Sequence, residues 1–278
     1  MESWKYDEDN SDFWNYLCGT NAALGNGFDV TTSRGIEDFD TWYFEYYPYL
    51  KKYLDFALLE SESILEIGLG LGTVSRYLAS NVESYLGLDV APNVISFLRE
   101  DFKNRHFNGE FVLGSIIADL KELEGRKFDA VVAIGSLHHT GRLEYAIDNA
   151  LKFLNPGGHA LIMIYNKFSL FNITHSLKNC LSGYFDHLIN GTSSWKEMSE
   201  EIRAINDSDD SGKGAPSTEY SHRKIFADQN VIWKTQIRNM NHLRLPGGHI
   251  ILRDRLLDNV GRFAGTDIYA LGTKKRMS

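Results

Sequence analysis

Between residues 60 and 166 the chain alternates short apolar runs with stretches whose apolar residues recur every three or four positions. The short runs predict strands at Ser63–Ile67, Ser84–Asp89, Glu110–Leu113, Phe128–Ile134 and His159–Tyr165. The helical spacing predicts helices over Thr73–Ala79, Asn93–Phe102 and Leu143–Leu154, the last followed by a turn at Asn155-Pro156-Gly157-Gly158. Strands that are apolar almost throughout must be covered on both faces, which is the condition of a parallel sheet. Right-handed crossovers then give a doubly wound α/β fold. A final strand–helix–strand pattern follows at Val231–Ile237, Ile250–Phe263 and Thr266–Leu271.

Two regions lie outside this alternation. Residues 1–60 hold 15 of the 35 Phe, Trp and Tyr, a density that predicts a packed helical cap and not a loose tail. Residues 168–230 read as a helical insert or lid carrying a flexible polar loop at 206–218. The expected organisation is therefore a cap at 1–60, a core at 61–167, the insert at 168–230 and a return to the core at 231–278. Composition narrows the partners. Asp and Glu number 37 against 29 Lys and Arg, a formal charge of −8 that argues against wrapping a phosphate backbone. No apolar run reaches the ~18 residues of a membrane span, and the acidic start is unlike a secretory signal. Cys18 and Cys180 lack metal-ligand spacing, so two reduced thiols in a cytoplasmic protein are expected.

The chemistry is concentrated at Glu66-Ile67-Gly68-Leu69-Gly70-Leu71-Gly72-Thr73, where the first core strand gives way to a helix. Glycines let the backbone turn tightly, and the amides of a helix start receive polar or anionic groups. Asp89 ends the second strand, where a carboxylate can accept hydrogen bonds from both hydroxyls of a ribose. A dinucleotide fingerprint, G-x-G-x-x-G, would need glycine where Thr73 stands. A nicotinamide-dependent oxidoreductase is disfavoured on that count.

Leu65-Glu66-Ile67-Gly68-Leu69-Gly70-Leu71-Gly72 resembles the first motif of the class I S-adenosylmethionine-dependent methyltransferases. The likeness continues through Gly87-Leu88-Asp89, Phe128-Asp129-Ala130-Val131-Val132, Ser136-Leu137-His138-His139-Thr140 and Leu151–Gly158. The resemblance implies a Rossmann-like, mostly parallel seven-stranded sheet, with S-adenosyl-L-methionine as cofactor and S-adenosyl-L-homocysteine as product. It implies that Gly68, Gly70 and Gly72 line the methionine part, with Glu66 near its amino group. The alternative for Glu66, read by itself, is a carboxylate that caps nearby amides. Asp89 would hold the ribose, Val90 would pack on the adenine, and Ile134, Gly135 and Ser136 would sit beside the sulfonium. The turn after the third strand, Gly114-Ser115-Ile116, carries Ser115 where the family usually has an acidic or amide residue.

Methyl transfer needs an acceptor held in line with an activated carbon, so proximity can supply much of the catalysis. A base is needed only when the acceptor must lose a proton. His138 and His139 stand at the sheet's carboxyl edge, as a base or as cofactor wall. Tyr165, with Asn166 and Lys167, either binds the acceptor or ends the sheet. Ser221, before His222 and Arg223, is placed to cap a short helix. Most N-terminal aromatics are expected in the core, with Tyr43, Tyr46 and Tyr47 reaching the acceptor.

The stretch after the fourth strand lacks the Asn/Asp-Pro-Pro-aromatic turn of nucleic-acid amino-methylating enzymes, the carboxylate cluster of metal-dependent ones and the double glutamate of protein arginine enzymes. Neither cysteine follows a proline, as a cytosine C5 nucleophile would. What remains is a metal-independent enzyme acting on a small molecule at oxygen, nitrogen or carbon. A protein that binds the cofactor without turnover is the alternative. Acceptor and oligomeric state stay open.

Overall fold

The structure is a computed structural model that describes residues 11–15, 27–173, 218–227, 230–240, 243–244 and 250–276. Cys18, Cys180, most of the expected insert and its loop as far as residue 217 lie outside the described residues.

Thr32 starts the first long helix, α1 (Ser33–Tyr46), by accepting the Gly35 amide on its side-chain oxygen at 3.1 Å. This cap satisfies one of the amides that a helix start leaves without a partner. In α2 (Leu50–Leu58), Leu50, Tyr53, Leu54 and Ala57 fall on one face, and that face is buried. The core then runs β1 (Ser63–Ile67), α3 (Thr73–Ala79), β2 (Ser84–Asp89), α4 (Pro92–Arg105), β3 (Glu110–Leu113), β4 (Phe128–Ile134), α5 (Leu143–Lys152) and β5 (Leu154–Tyr165). It closes with β6 (Val231–Arg238), a small hairpin β7–β8 (Leu243–Arg244, Ile250–Ile251), α6 (Arg253–Leu257), α7 (Gly261–Ala264) and β9 (Asp267–Lys274).

The seven-stranded sheet has the order β3-β2-β1-β4-β5-β9-β6. The first five run parallel, and β9 lies antiparallel between β5 and β6. Successive strand residues face opposite layers. Leu65, Ile67, Val131 and Ala133 therefore join α5 on one side, while Ile64, Ala130 and Val132 join α2, α3 and α4 on the other. The sheet reverses its order between β1 and β4, so the loops after these two strands diverge and leave a crevice.

Two expected elements differ. The turn at Asn155–Gly158 is instead the irregular start of β5, whose register against β4 shifts between Phe128 and Ala130. Gly158 runs so close to the β4 backbone that a Cβ would stand 2.6 Å from the Asp129 carbonyl oxygen. The single helix expected over Ile250–Phe263 is broken into a short strand and two short helices. Asp258 and Asn259 are poor helix formers in succession, and the break falls on them, ahead of Gly261 at the start of α7.

Among the described residues no helix is long and apolar enough to cross a membrane.

Candidate active site

The glycine turn after β1 is built from glycines with separate tasks. Gly68 has φ +80°, and its amide donates to the Leu88 carbonyl at 2.8 Å. A Cβ there would lie 2.2 Å from the Cβ of Ser136, so the turn and the loop after β4 meet only because Gly68 has no side chain. Ser136 fastens the same contact, its hydroxyl donating to the Ile67 carbonyl at 2.6 Å. Gly72 opens α3 in the left-handed region, with Leu98 of α4 filling the place of a Cβ at 2.2 Å. Beside Gly70 there is open space.

That space belongs to a cleft of about 210 Å³ at the carboxyl ends of the parallel strands. Gly68 and Gly70, then Asp89 and Val90 after β2, Ser115 and Ile116 after β3, and Ile134, Gly135 and Ser136 after β4 all line it. The structure thus brings nine of the eleven expected cofactor residues to one cavity. Glu66 and Gly72 do not line it.

Asp89 is buried, and its two oxygens accept the Leu69 amide at 2.7 Å and the Ala91 amide at 2.9 Å. Burial raises its pKa, and these backbone donors pull the other way. Glu66 sits behind the turn, where the Tyr85 hydroxyl donates to Oε2 at 2.5 Å. Burial pushes its pKa up to about 8, the Tyr85 hydrogen bond opposing. The folded protein therefore holds this proton where the unfolded chain releases it. Stability from Glu66 is full below the unfolded pKa of about 4.5 and is lost as pH rises towards 8. Thermal melts of Glu66→Gln should lack that decline, and a wild-type slope unchanged by the substitution would contradict the assignment.

His138 and His139 form a 3-10 turn, Leu137–His139, after β4. Only His139 lines the cleft. His138 is fully buried behind it, its ring 4.0 Å from that of Tyr165. Burial drives both pKa values down, that of His139 to about 3, so both rings are neutral at pH 7. Tyr165 is half-buried and does not line the cleft, stacking instead on Tyr220 at 5.5 Å. Asn166 is buried and serves the backbone, donating to the Gly265 carbonyl and accepting the Phe168 amide. Lys167 donates its backbone amide to the Ser221 carbonyl.

A strap formed by residues 218–221 runs along the end of β5. The Glu219 amide donates to the His138 carbonyl at 2.7 Å, and the Ser221 amide to the Tyr165 carbonyl at 3.1 Å. Ser221 forms a bridge to Asn166, and His222, not Ser221, is the cap of the short 3-10 helix Arg223–Phe226. Thr218, expected at the end of a flexible loop, is buried, with its hydroxyl oxygen 2.9 Å from His139 Nδ1. Tyr43 and Tyr47 are held in the aromatic cap at 4.9 Å from each other, and Tyr46 stacks on Trp42 at 5.3 Å; none lines the cleft.

Trp14, Ile67, Leu88, Val94, Leu137 and Thr140 line the cleft without having been given a site role in the sequence. Leu137 and Thr140 lie inside a motif whose histidines drew the attention. Trp14 carries no periodic signal, being one aromatic among many. Among the described residues no group of three or more His, Cys, Asp and Glu is placed to hold a metal ion.

The cavity suits an adenosyl amino acid. Val90, Ile116 and Leu137 offer apolar surface to a base, Asp89 offers a carboxylate to vicinal hydroxyls, and open space adjoins Gly70 of the amide-bearing turn. Comparison with known proteins agrees. Residues 65–160 match the model of a methyltransferase domain. A fatty-acid O-methyltransferase of Mycolicibacterium smegmatis is 33% identical over 110 residues, covering 38% of each protein. A tRNA N(3)-methylcytidine methyltransferase, Mettl2 of Drosophila melanogaster, is 27% identical over 176 residues, 59% of this chain and 53% of that protein. The chain thus spans about half or less of these relatives. An O-methyltransferase family protein from Burkholderia thailandensis superimposes with a TM-score of 0.50 at 11% identity, covering 88% of this chain and 61% of the other, a likeness of fold. Residues 65–160 of the chain are thus a methyltransferase domain, similar to the class I S-adenosylmethionine-dependent enzymes.

Proposed function

We propose that the protein is a cytoplasmic, metal-independent enzyme that moves a methyl group from S-adenosylmethionine to a small molecule. The observation that carries this reading is the single cavity wall in which the Asp89 carboxylate, the glycine turn and the loop after β4 converge. When bound, the cofactor supplies a carbon made electrophilic by its sulfonium. The residues of the chain then have to place and shield it. Gly68 lets Ser136 close on the turn, Asp89 offers its carboxylate to the ribose, and Gly135 and Ser136 form the wall where β4 ends. Holding the two reactants at near-attack geometry in such a site accounts for ~7–11 kcal/mol of a barrier.

A small acceptor is supported by the surface beside this wall. The strap 218–221 closes over His138 and the end of β5, and Tyr43 and Tyr47 are half-buried in the aromatic cap. The net charge of −8 gives a polyanion little reason to approach. Incubation with methyl-labelled S-adenosylmethionine and a metabolite extract should place label in the small-molecule fraction. Label recovered in RNA or in protein would overturn the reading.

His139 is better suited to a wall than to a base. A ring with a pKa near 3 is neutral at physiological pH but binds a proton weakly. Turnover at saturating substrates should therefore show no limb between pH 6 and 7 that disappears in His139→Asn. Such a limb would restore the general base.

A further inference from the structure

One residue of the cleft lies outside the matched methyltransferase domain. Every other lining residue lies between Ile67 and Thr140, whereas Trp14 enters from a short helical turn at 11–15. That turn is fastened to the cofactor side of the sheet. Ser11 donates its hydroxyl to the Val90 carbonyl at 2.8 Å. Asn15 accepts the Asn93 amide on its side chain at 2.8 Å, and its carbonyl accepts from the Asn93 side chain at 3.1 Å. Ala91, the N-cap of α4, has no side-chain oxygen to offer, so Asn15 caps this helix from outside. Ser11, Trp14 and Asn15 are three and four positions apart and share one face. The hydrogen bonds that fix Ser11 and Asn15 therefore also aim the indole. On its other side Trp14 meets the His139 ring, with centroids 4.7 Å apart. The turn that carries the indole is thus fastened at the end of β2, and the indole itself lines the cleft and meets the turn after β4.

We propose that Trp14 is a cofactor-binding residue, its indole holding the adenosyl half of S-adenosylmethionine in the cleft. The inference rests on the cofactor assignment above. The anchoring of its turn to Val90, next to Asp89 in the chain, favours the adenosyl half over the amino-acid half, because Asp89 is the group suited to the ribose. A large flat apolar face against a purine or ribose needs no directed donor, so a phenyl ring substitutes for an indole.

The test is calorimetric titration of the full chain with S-adenosylhomocysteine and with 5′-methylthioadenosine, which lacks the amino-acid group. Trp14→Ala should weaken both by the same factor, ~tenfold or more, while Trp14→Phe stays within ~threefold of wild type. Should Trp14→Ala fail to fold, Trp14→Leu makes the same comparison, with melting temperature confirming the native state. Unchanged affinity for both ligands overturns the proposal, and so does a loss confined to S-adenosylhomocysteine. Failure of the wild type to bind either ligand would instead strike the cofactor assignment itself.

Discussion

Replacing Asp89 by alanine is expected to lower the affinity for S-adenosylhomocysteine by ~100-fold or more. Two losses combine. The first is the charge-assisted hydrogen bonding of the carboxylate to the ribose, a contact of ~1.5–3 kcal/mol. The second is internal, because Asp89 accepts the amides of Leu69 and Ala91 from opposite sides. Without the carboxylate, two buried donors lose their partner, at ~1–3 kcal/mol each. Leu69 lies within the glycine turn, so the turn loses an anchor together with the ligand. Asp89→Asn keeps the shape but presents an NH₂ group to one of these donors, and it should recover only part of the affinity. Titration calorimetry on both variants, with melting curves to separate binding from folding, checks the expectation. An alanine variant that binds within ~threefold of wild type would show that the carboxylate does not face the ribose.

The largest loss of stability is expected at Arg76. Its guanidinium is buried and reaches both oxygens of Asp40, at 2.6 and 2.7 Å, as well as Asp101 at 2.9 Å and the Leu71 carbonyl at 2.9 Å. Thr73 adds a hydroxyl to Asp40 at 2.6 Å. These contacts join α1 of the N-terminal cap to α3, which follows the glycine turn, and to α4. Removing the guanidinium leaves Asp40 without its cationic partner, while Asp101 keeps Arg105 at 2.7 Å, and Arg76→Ala should cost roughly 3–5 kcal/mol. Arg76→Lys retains the charge but cannot span both oxygens of Asp40 as a planar fork, so it should fall between. Denaturant midpoints at unchanged slope provide the measurement. A loss below ~1 kcal/mol for alanine would mean that the cap and the core are not held by this network.

The sheet was legible because parallel strands buried on both faces leave near-continuous apolar runs, as at Phe128–Ile134. The glycine turn was legible because positive φ and close approach demand glycine there, and Asp89 because a carboxylate ends the second strand at the sheet's carboxyl edge. What escaped notice depends on contacts across long stretches of chain. Nothing local marks Trp14, whose aim is set by hydrogen bonds to Val90 and Asn93, some 80 residues away. Glu66 was expected towards the cofactor because of its place in the motif, yet a Tyr85 hydroxyl on the neighbouring strand gives it a buried partner. The pairing of His138 and His139 in the sequence concealed unequal positions. A 3-10 turn points adjacent side chains in different directions, and only His139 meets the cavity. The break in the helix expected at Ile250–Phe263 was written in Asp258 and Asn259, but apolar spacing outweighed them.

The cleft beside Gly70 and Asp89 is expected to hold an S-adenosyl ligand. Titrating the wild-type protein with S-adenosylhomocysteine and, separately, with NAD tests it most directly. Saturable one-to-one binding of S-adenosylhomocysteine that Asp89→Ala weakens ~100-fold or more, with no comparable binding of NAD, is the expected result. Tight NAD binding without S-adenosylhomocysteine binding would contradict it.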